Sequence, residues 1–192
     1  MKLIVKTLRC FTILLLIQQV SYSQPHLFSG HTTDIATDIK KVISDYPNQF
    51  KNITGELIIQ NPQSADYECS LKIKGAEECF ITKYSSIKKE IYSWQAIMLT
   101  TENFNEAKRR FRSFYDQLNN LPVNATQLKG SYEAPAEEKR FTSVLFSFSP
   151  ADEITERLKL ELVMESEGMD WKIKILLYDR ERDDEEKGKV VE

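Results

Sequence analysis

Histidine, glycine and long apolar runs are all scarce in this 192-residue chain, and each scarcity closes off a class of mechanism. The two histidines, His26 and His31, both fall ahead of the first helical pattern, in a stretch that reads as a flexible lead. Ser-His-Asp or Cys-His catalysis needs an imidazole held rigidly in a pocket, which a mobile lead does not supply. The sequence contains no Gly-x-Ser-x-Gly, no His-Glu-x-x-His and no phosphate-cradling glycine loop. Six glycines in the whole chain leave little material for nucleotide loops. A chain beginning at Gln24 would place His26 third, as in N-terminal copper sites. That geometry needs the backbone nitrogen of the second residue, and Pro25 has no N–H to give up. No metal site and no cofactor are expected.

The strongest apolar run, Cys10 to Ile17, is far short of the roughly 20 residues that cross a bilayer as a helix, so no membrane span is expected. It follows the basic residues Lys2, Lys6 and Arg9 and precedes Ser21-Tyr22-Ser23, whose small residues suit a signal peptidase. Residues 1–23 therefore read as a signal peptide cleaved before Gln24, and the protein as exported to the periplasm or beyond. Cys10 directly follows Arg9, which is wrong for a lipoprotein cleavage site. Loss of the three leader charges takes the net charge from −3 to −6. Such an acidic chain is a poor partner for nucleic acid or an anionic membrane surface. The triplets beginning at Asn52 and Asn124 would be glycosylation sequons only in a eukaryotic source.

The short leader ending Ser-Tyr-Ser-Gln, the Lys/Glu-rich body and the charged C-terminus are similar to those of uncharacterised exported proteins of Gram-negative Bacteroidota. The resemblance lies in the style of the chain rather than in a motif. It implies a location and no activity.

Past the lead, residues 24–31, the pattern is that of one domain over 32–179 with a charged, flexible tail over 180–192. Thr32-Thr33-Asp34 opens a helix whose apolar face carries Ile35, Ile39, Val42, Ile43 and Tyr46, and Pro47 stops it. Strands are expected at 54–60, 67–73, 76–84 and 90–100. The last is apolar on both faces at Ala96-Ile-Met-Leu99, as a strand inside a sheet would be. Thr101 caps a second helix over about 102–119, with Phe104, Ala107, Phe111, Phe114, Tyr115 and Leu118 as its stripe. Residues 119–138 read as a polar connection, and three more strands follow near 140–148, 156–165 and 170–178. The expected fold is α+β: an antiparallel sheet of about seven strands with two helices packed on one face, in the order α-ββββ-α-βββ.

Cys69 and Cys79 are the only cysteines beyond the leader. Tyr67, Cys69, Leu71 and Ile73 alternate with polar residues, and Gly75 permits a three-residue turn at 73–75. That register sets Cys69 directly opposite Cys79, so a disulfide-closed hairpin is expected, contributing about 2.5–3 kcal/mol in the chain-entropy model. Two buried free thiols are the alternative. The spacing is not the Cys-x-x-Cys of an oxidoreductase, and two cysteines without histidine partners make a poor zinc site.

The remaining candidates are acids, bases and aromatics. Glu68, Glu90 and Glu161 alternate with apolar strand neighbours as outward-facing residues do, although paired carboxylates have no spacing signature. Asp183 to Glu186 lacks the turn glycine of a calcium loop. The basic run Lys108 to Arg112 reads as the wet side of a helix. Tyr92 and Trp94 share one strand face. They form a binding platform if the helices cover the opposite face and are core if they do not, core being the preferred reading. No other binding residues are expected. The function expected is that of an exported, non-catalytic module binding a protein partner or small ligand through an open sheet face. The competing reading is a small carboxylate-dependent hydrolase.

Overall fold

The computed structural model describes residues 34–85, 90–152 and 155–180. The expected signal peptide, the expected lead with His26 and His31, and the expected tail beyond residue 180 lie outside the described residues. All described residues belong to one compact unit, Thr32–Glu192.

Helix α1, Ala36–Asp45, buries Ile39, Val42 and Ile43. The Asp34 carboxylate accepts a bond from the Ala36 N–H at 3.0 Å, satisfying one orphan donor of the first turn. Pro47 ends the helix inside a tight 3-10 turn, Tyr46–Asn48. Two consecutive left-handed residues follow, Gln49 and Phe50, both at φ 57°. That conformation costs a side-chain-bearing residue energy, and Asp45 anchors the turn beside it. Its buried carboxylate accepts from the Asn52 N–H at 3.1 Å and from the Asn48 and Asn52 amides at 3.1 and 2.5 Å. The periodicity places Asp45 off the buried face; the turn pulls it in.

Strands β1 (Thr54–Gln60), β2 (Ser64–Cys69), β3 (Glu78–Ser85) and β4 (Glu90–Thr101) form a meander. Helix α2, Phe104–Leu118, then carries the chain to the far edge. Its cap is Asn103, whose side-chain oxygen accepts from the Glu106 N–H at 3.0 Å; Thr101, the expected cap, donates instead to the Glu106 carboxylate at 2.9 Å. Strands β5 (Pro122–Val123), β6 (Thr126–Gly130), β7 (Phe141–Ser149), β8 (Leu158–Glu167) and β9 (Asp170–Asp179) step back until β9 pairs with β4. The result is one antiparallel sheet in the order β1-β2-β3-β4-β9-β8-β7-β6-β5.

Two features of the expected fold are corrected. The sheet has nine strands rather than about seven, because the connection after α2 folds as the β5–β6 hairpin. Asn124 at φ 52° makes its turn. The hairpin strands carry few large apolar residues, so their pattern is weak. The second correction is the disulfide. Cys69 and Cys79 are free thiols, near each other but not bonded. The β2–β3 ladder keeps the expected register as far as Glu68↔Phe80, but residues 70–77 leave it as a loop. Gly75 takes φ 78° within that loop, the Ala76 N–H bonds to the Ile73 carbonyl at 3.1 Å, and Ile73 is buried. A tight three-residue turn would have clamped the two cysteines; this wider loop does not.

One core serves the whole sheet. Ile81, Trp94, Leu177, Leu160 and Phe146 lie in one row across β3, β4, β9, β8 and β7, all on the face that meets Ile39 and Val42 of α1 and Phe111 and Phe114 of α2. A bulge after Ile97 sets Met98 and Leu99 together opposite Ile173, keeping β4 against the core as it bends. Gly130 lies opposite Phe146, where a Cβ would come within 2.8 Å of the Phe146 ring and of Val144. Gly130→Ala is expected to cost about 1–3 kcal/mol by overpacking, read as a lower urea midpoint with an unchanged denaturant slope.

Candidate functional site

The structure settles which way the two aromatic candidates point. Trp94 pairs with Ile81 on one side and Leu177 on the other and is 1% exposed, deep in the core shared with both helices. It therefore offers no surface to a ligand. Tyr92, opposite Lys83 nearer the strand's start, is half-buried against the same core. Its hydroxyl donates to Glu90 at 3.0 Å. Burial first, then the neighbouring Glu90 carboxylate, raises the Tyr92 hydroxyl above its ordinary value. The two residues share a strand face, but they do not make an open platform, because the helices pack on that same face.

Trp94 instead belongs to a small cluster with the two thiols. Continuing the β2–β3 register one step sets Cys69 beside Cys79, on the side of the sheet that carries Ile81 and Trp94. Both cysteines are half-buried at the margin of the core. In its neutral form the Cys69 thiol donates to the Leu71 carbonyl at 3.4 Å. When Cys69 ionises, the Cys79 S–H donates to it, and this, helped by Trp94, lowers its pKa to about 7 against the opposing effect of burial. The same sharing of one proton, with burial added, holds Cys79 far above the ordinary thiol range. The Trp94 indole N–H is buried and has no conventional hydrogen-bond partner among the described residues. Its presence nearby lowers the pKa of both thiols.

The other face of the sheet is covered by neither helix. Both helices join the core on the first face, while Ile91, Val163 and Tyr178 are buried outside that core. A continuous row of side chains crosses the uncovered face from Leu145 through Glu161, Leu176 and Gln95 to Phe80. Tyr178 donates to Glu161 at 3.1 Å and Lys174 is paired with Glu165, so both carboxylates have partners in place. Two large apolar side chains remain open here: Phe141 at 55% and Leu145 at 51% exposure. Residue-by-residue reading of the strands did not single them out, yet their signal was present. Strand β7 buries Thr142, Val144, Phe146 and Phe148, so strict alternation turns Phe141 and Leu145 outward. Leu57, Ile58 and Ile59 of the edge strand β1 are also about half exposed.

Most of the charged candidates have local partners. Lys83 lies 2.5 Å from Glu90 and holds that carboxyl below the usual carboxylate range. Along α2, Lys108 lies over the Phe104 ring, Arg110 over Phe114, and Arg112 over Tyr132 at 4.3 Å to the centroid. Arg112 also pairs with Asp116 at 3.0 Å. Lys108, Arg110 and Arg112 thus lie over the aromatic rings Phe104 and Phe114 of the helix and Tyr132 beside it. Among the described residues no group of three or more His, Cys, Asp or Glu side chains is assembled to hold a metal, and no helix is long and apolar enough to cross a membrane.

Comparison with protein-family models, with curated proteins and with solved structures finds no match for this chain. The functional reading therefore rests on the site itself.

Proposed function

We propose that the protein is an exported, non-catalytic module that binds a protein partner across the sheet face left uncovered by its helices. The observation that carries this reading is the pair Phe141 and Leu145, each more than half exposed on that face. Apolar side chains that stay exposed together on one face mark a contact surface more often than scattered single ones do. The row from Leu145 to Phe80 is broad and mixes aliphatic, aromatic and amide groups, which suits a protein surface better than a small molecule. The ion-paired and hydrogen-bonded carboxylates along it fit a polar frame around the apolar contacts rather than a proton-transfer pair.

The test places a photo-crosslinking residue at Phe141 or Leu145 and, as a control, at the exposed Lys41 of α1. The expected result is one protein species crosslinked from both sheet positions and not from α1, lost when Leu145→Lys is introduced into the Phe141-labelled chain. Equal labelling from the two faces would sink the reading. N-terminal sequencing of the protein from the periplasm or medium, expected to begin at Gln24, tests the export.

A further inference from the structure

The Cys69–Cys79–Trp94 cluster is not used by the proposed docking face, which lies on the opposite side of the sheet. Two thiols converge there from neighbouring strands, half-buried rather than sealed, so that an ion can reach them. The buried Trp94 indole N–H, without a hydrogen-bond partner among the described residues, lies on the same face, Trp94 opposite Ile81 and Cys79 opposite Ala96 on the same pair of strands. A donor buried without a partner costs free energy, and this one would be satisfied by negative charge on sulfur.

We propose that Cys69 and Cys79 form a two-coordinate site for a soft monovalent d10 cation, copper(I), with the Trp94 N–H as an outer donor to the metal-bound sulfurs. Ion choice follows from ligand type and number. Thiolate sulfur selects soft copper(I), whereas structural zinc takes four ligands, and no third His, Cys, Asp or Glu joins these two among the described residues. Starting from the dithiol form, binding breaks two S–H bonds, releases two protons to solvent and forms two sulfur–copper bonds. The copper stays at +1 and no electron moves. The resulting unit carries one negative charge shared by the sulfurs, and the Trp94 N–H lies beside it. Outer donors of this kind orient the ligands and tune affinity. The loop over residues 70–77 joins the two ligand strands without a tight turn, so the sulfurs can separate enough to admit the ion.

The test uses the full chain carrying Cys10→Ser, which removes the third thiol, handled without oxygen and titrated with copper(I) held by a chromogenic chelator. One copper(I) per chain is expected. Cys69→Ser and Cys79→Ser should each weaken uptake at least about 100-fold, since one thiolate cannot make a two-coordinate site. Trp94→Phe should keep the one-to-one stoichiometry and weaken affinity about 10-fold. Proton release on binding, followed with a pH indicator, should exceed that of either serine variant. Uptake no better than that of the doubly substituted chain, uptake unchanged in either single serine variant, zinc competing equally at the same stoichiometry, or no titratable thiol in the denatured metal-free chain would each overturn the assignment.

Discussion

Replacing Trp94 with alanine is expected to lower the free energy of unfolding by about 3–5 kcal/mol, the usual cost of deleting a buried large aromatic. Domains of this kind are stable by only about 5–15 kcal/mol, so the variant should stand near the limit of folding. The size of the effect follows from position. Trp94 is 1% exposed, lies between Ile81 and Leu177 on the innermost strands, and shares its core with both helices. Neighbours locked in a hydrogen-bonded sheet cannot collapse into the space left behind. Urea denaturation followed by circular dichroism measures the change. A loss below about 1 kcal/mol would mean that the side chain is not enclosed as described. Trp94→Phe separates volume from the N–H: it keeps most of the apolar contact and should cost much less, while removing the group that faces the thiols.

The second large effect is chemical. Cys69 should react with iodoacetamide long before Cys79, with a pH midpoint at about 7 rather than at the ordinary 9.0. At neutral pH an ordinary thiol is about 1% ionised, whereas one titrating at about 7 is about half ionised, close to 50-fold more thiolate. Lower basicity makes each thiolate a weaker nucleophile, so the net rate gain is smaller, but the midpoint of the pH profile is unaffected by that discount. Cys79, held far up by the shared proton, should lag by more than about 100-fold in the first modification. Mass spectrometry of peptides alkylated across the pH range reads both midpoints, and Trp94→Phe should move the Cys69 midpoint upward. Equal labelling of the two cysteines, or a midpoint at the ordinary thiol value, would refute the shared-proton picture.

Linkage gives the same pair a signature in stability. The folded state depresses the Cys69 pKa, so its contribution is fully present above the ordinary thiol value of 9.0 and is lost as pH falls through about 7. Cys79 is shifted up and acts with the opposite sign once the pH exceeds the ordinary thiol value, where its unfolded form would ionise. Stability should therefore rise across the window from about 7 to 9.0 and fall again above it. Cys69→Ser should flatten the rise.

Much of the chain was readable because its periodicities are strong. The stripe from Phe104 to Leu118 and the alternation from Leu158 to Met164 name their buried residues directly, and those residues are buried in the fold, except that Phe104 is half-buried. The β5–β6 hairpin was not readable. Pro122-Val123 and Thr126-Gln-Leu-Lys-Gly130 hold two large apolar side chains between them, and their strand identity comes from pairing, β5 with β6 and β6 with β7, rather than from their own pattern. Asp45 was misplaced for a similar reason: helical spacing puts it off the buried face, while the left-handed turn after Pro47 brings Asn48 and Asn52 onto its carboxylate.

The cysteine pair divides the two kinds of information most clearly. Sequence alone determined that Cys69 and Cys79 belong to neighbouring antiparallel strands, because alternation and Gly75 define a register locally. Whether the sulfurs bond depends on how residues 70–77 fold, and that loop is shaped by the burial of Ile73 and by the Lys74 N–H bond to Asp38 on α1, contacts that cross the fold. The same holds for function. The amino-acid order sets the two faces of each strand, through the twofold period of an extended chain. Which face becomes core is decided only when the helices choose a side, and that choice buried Trp94 and left Phe141 and Leu145 in the open.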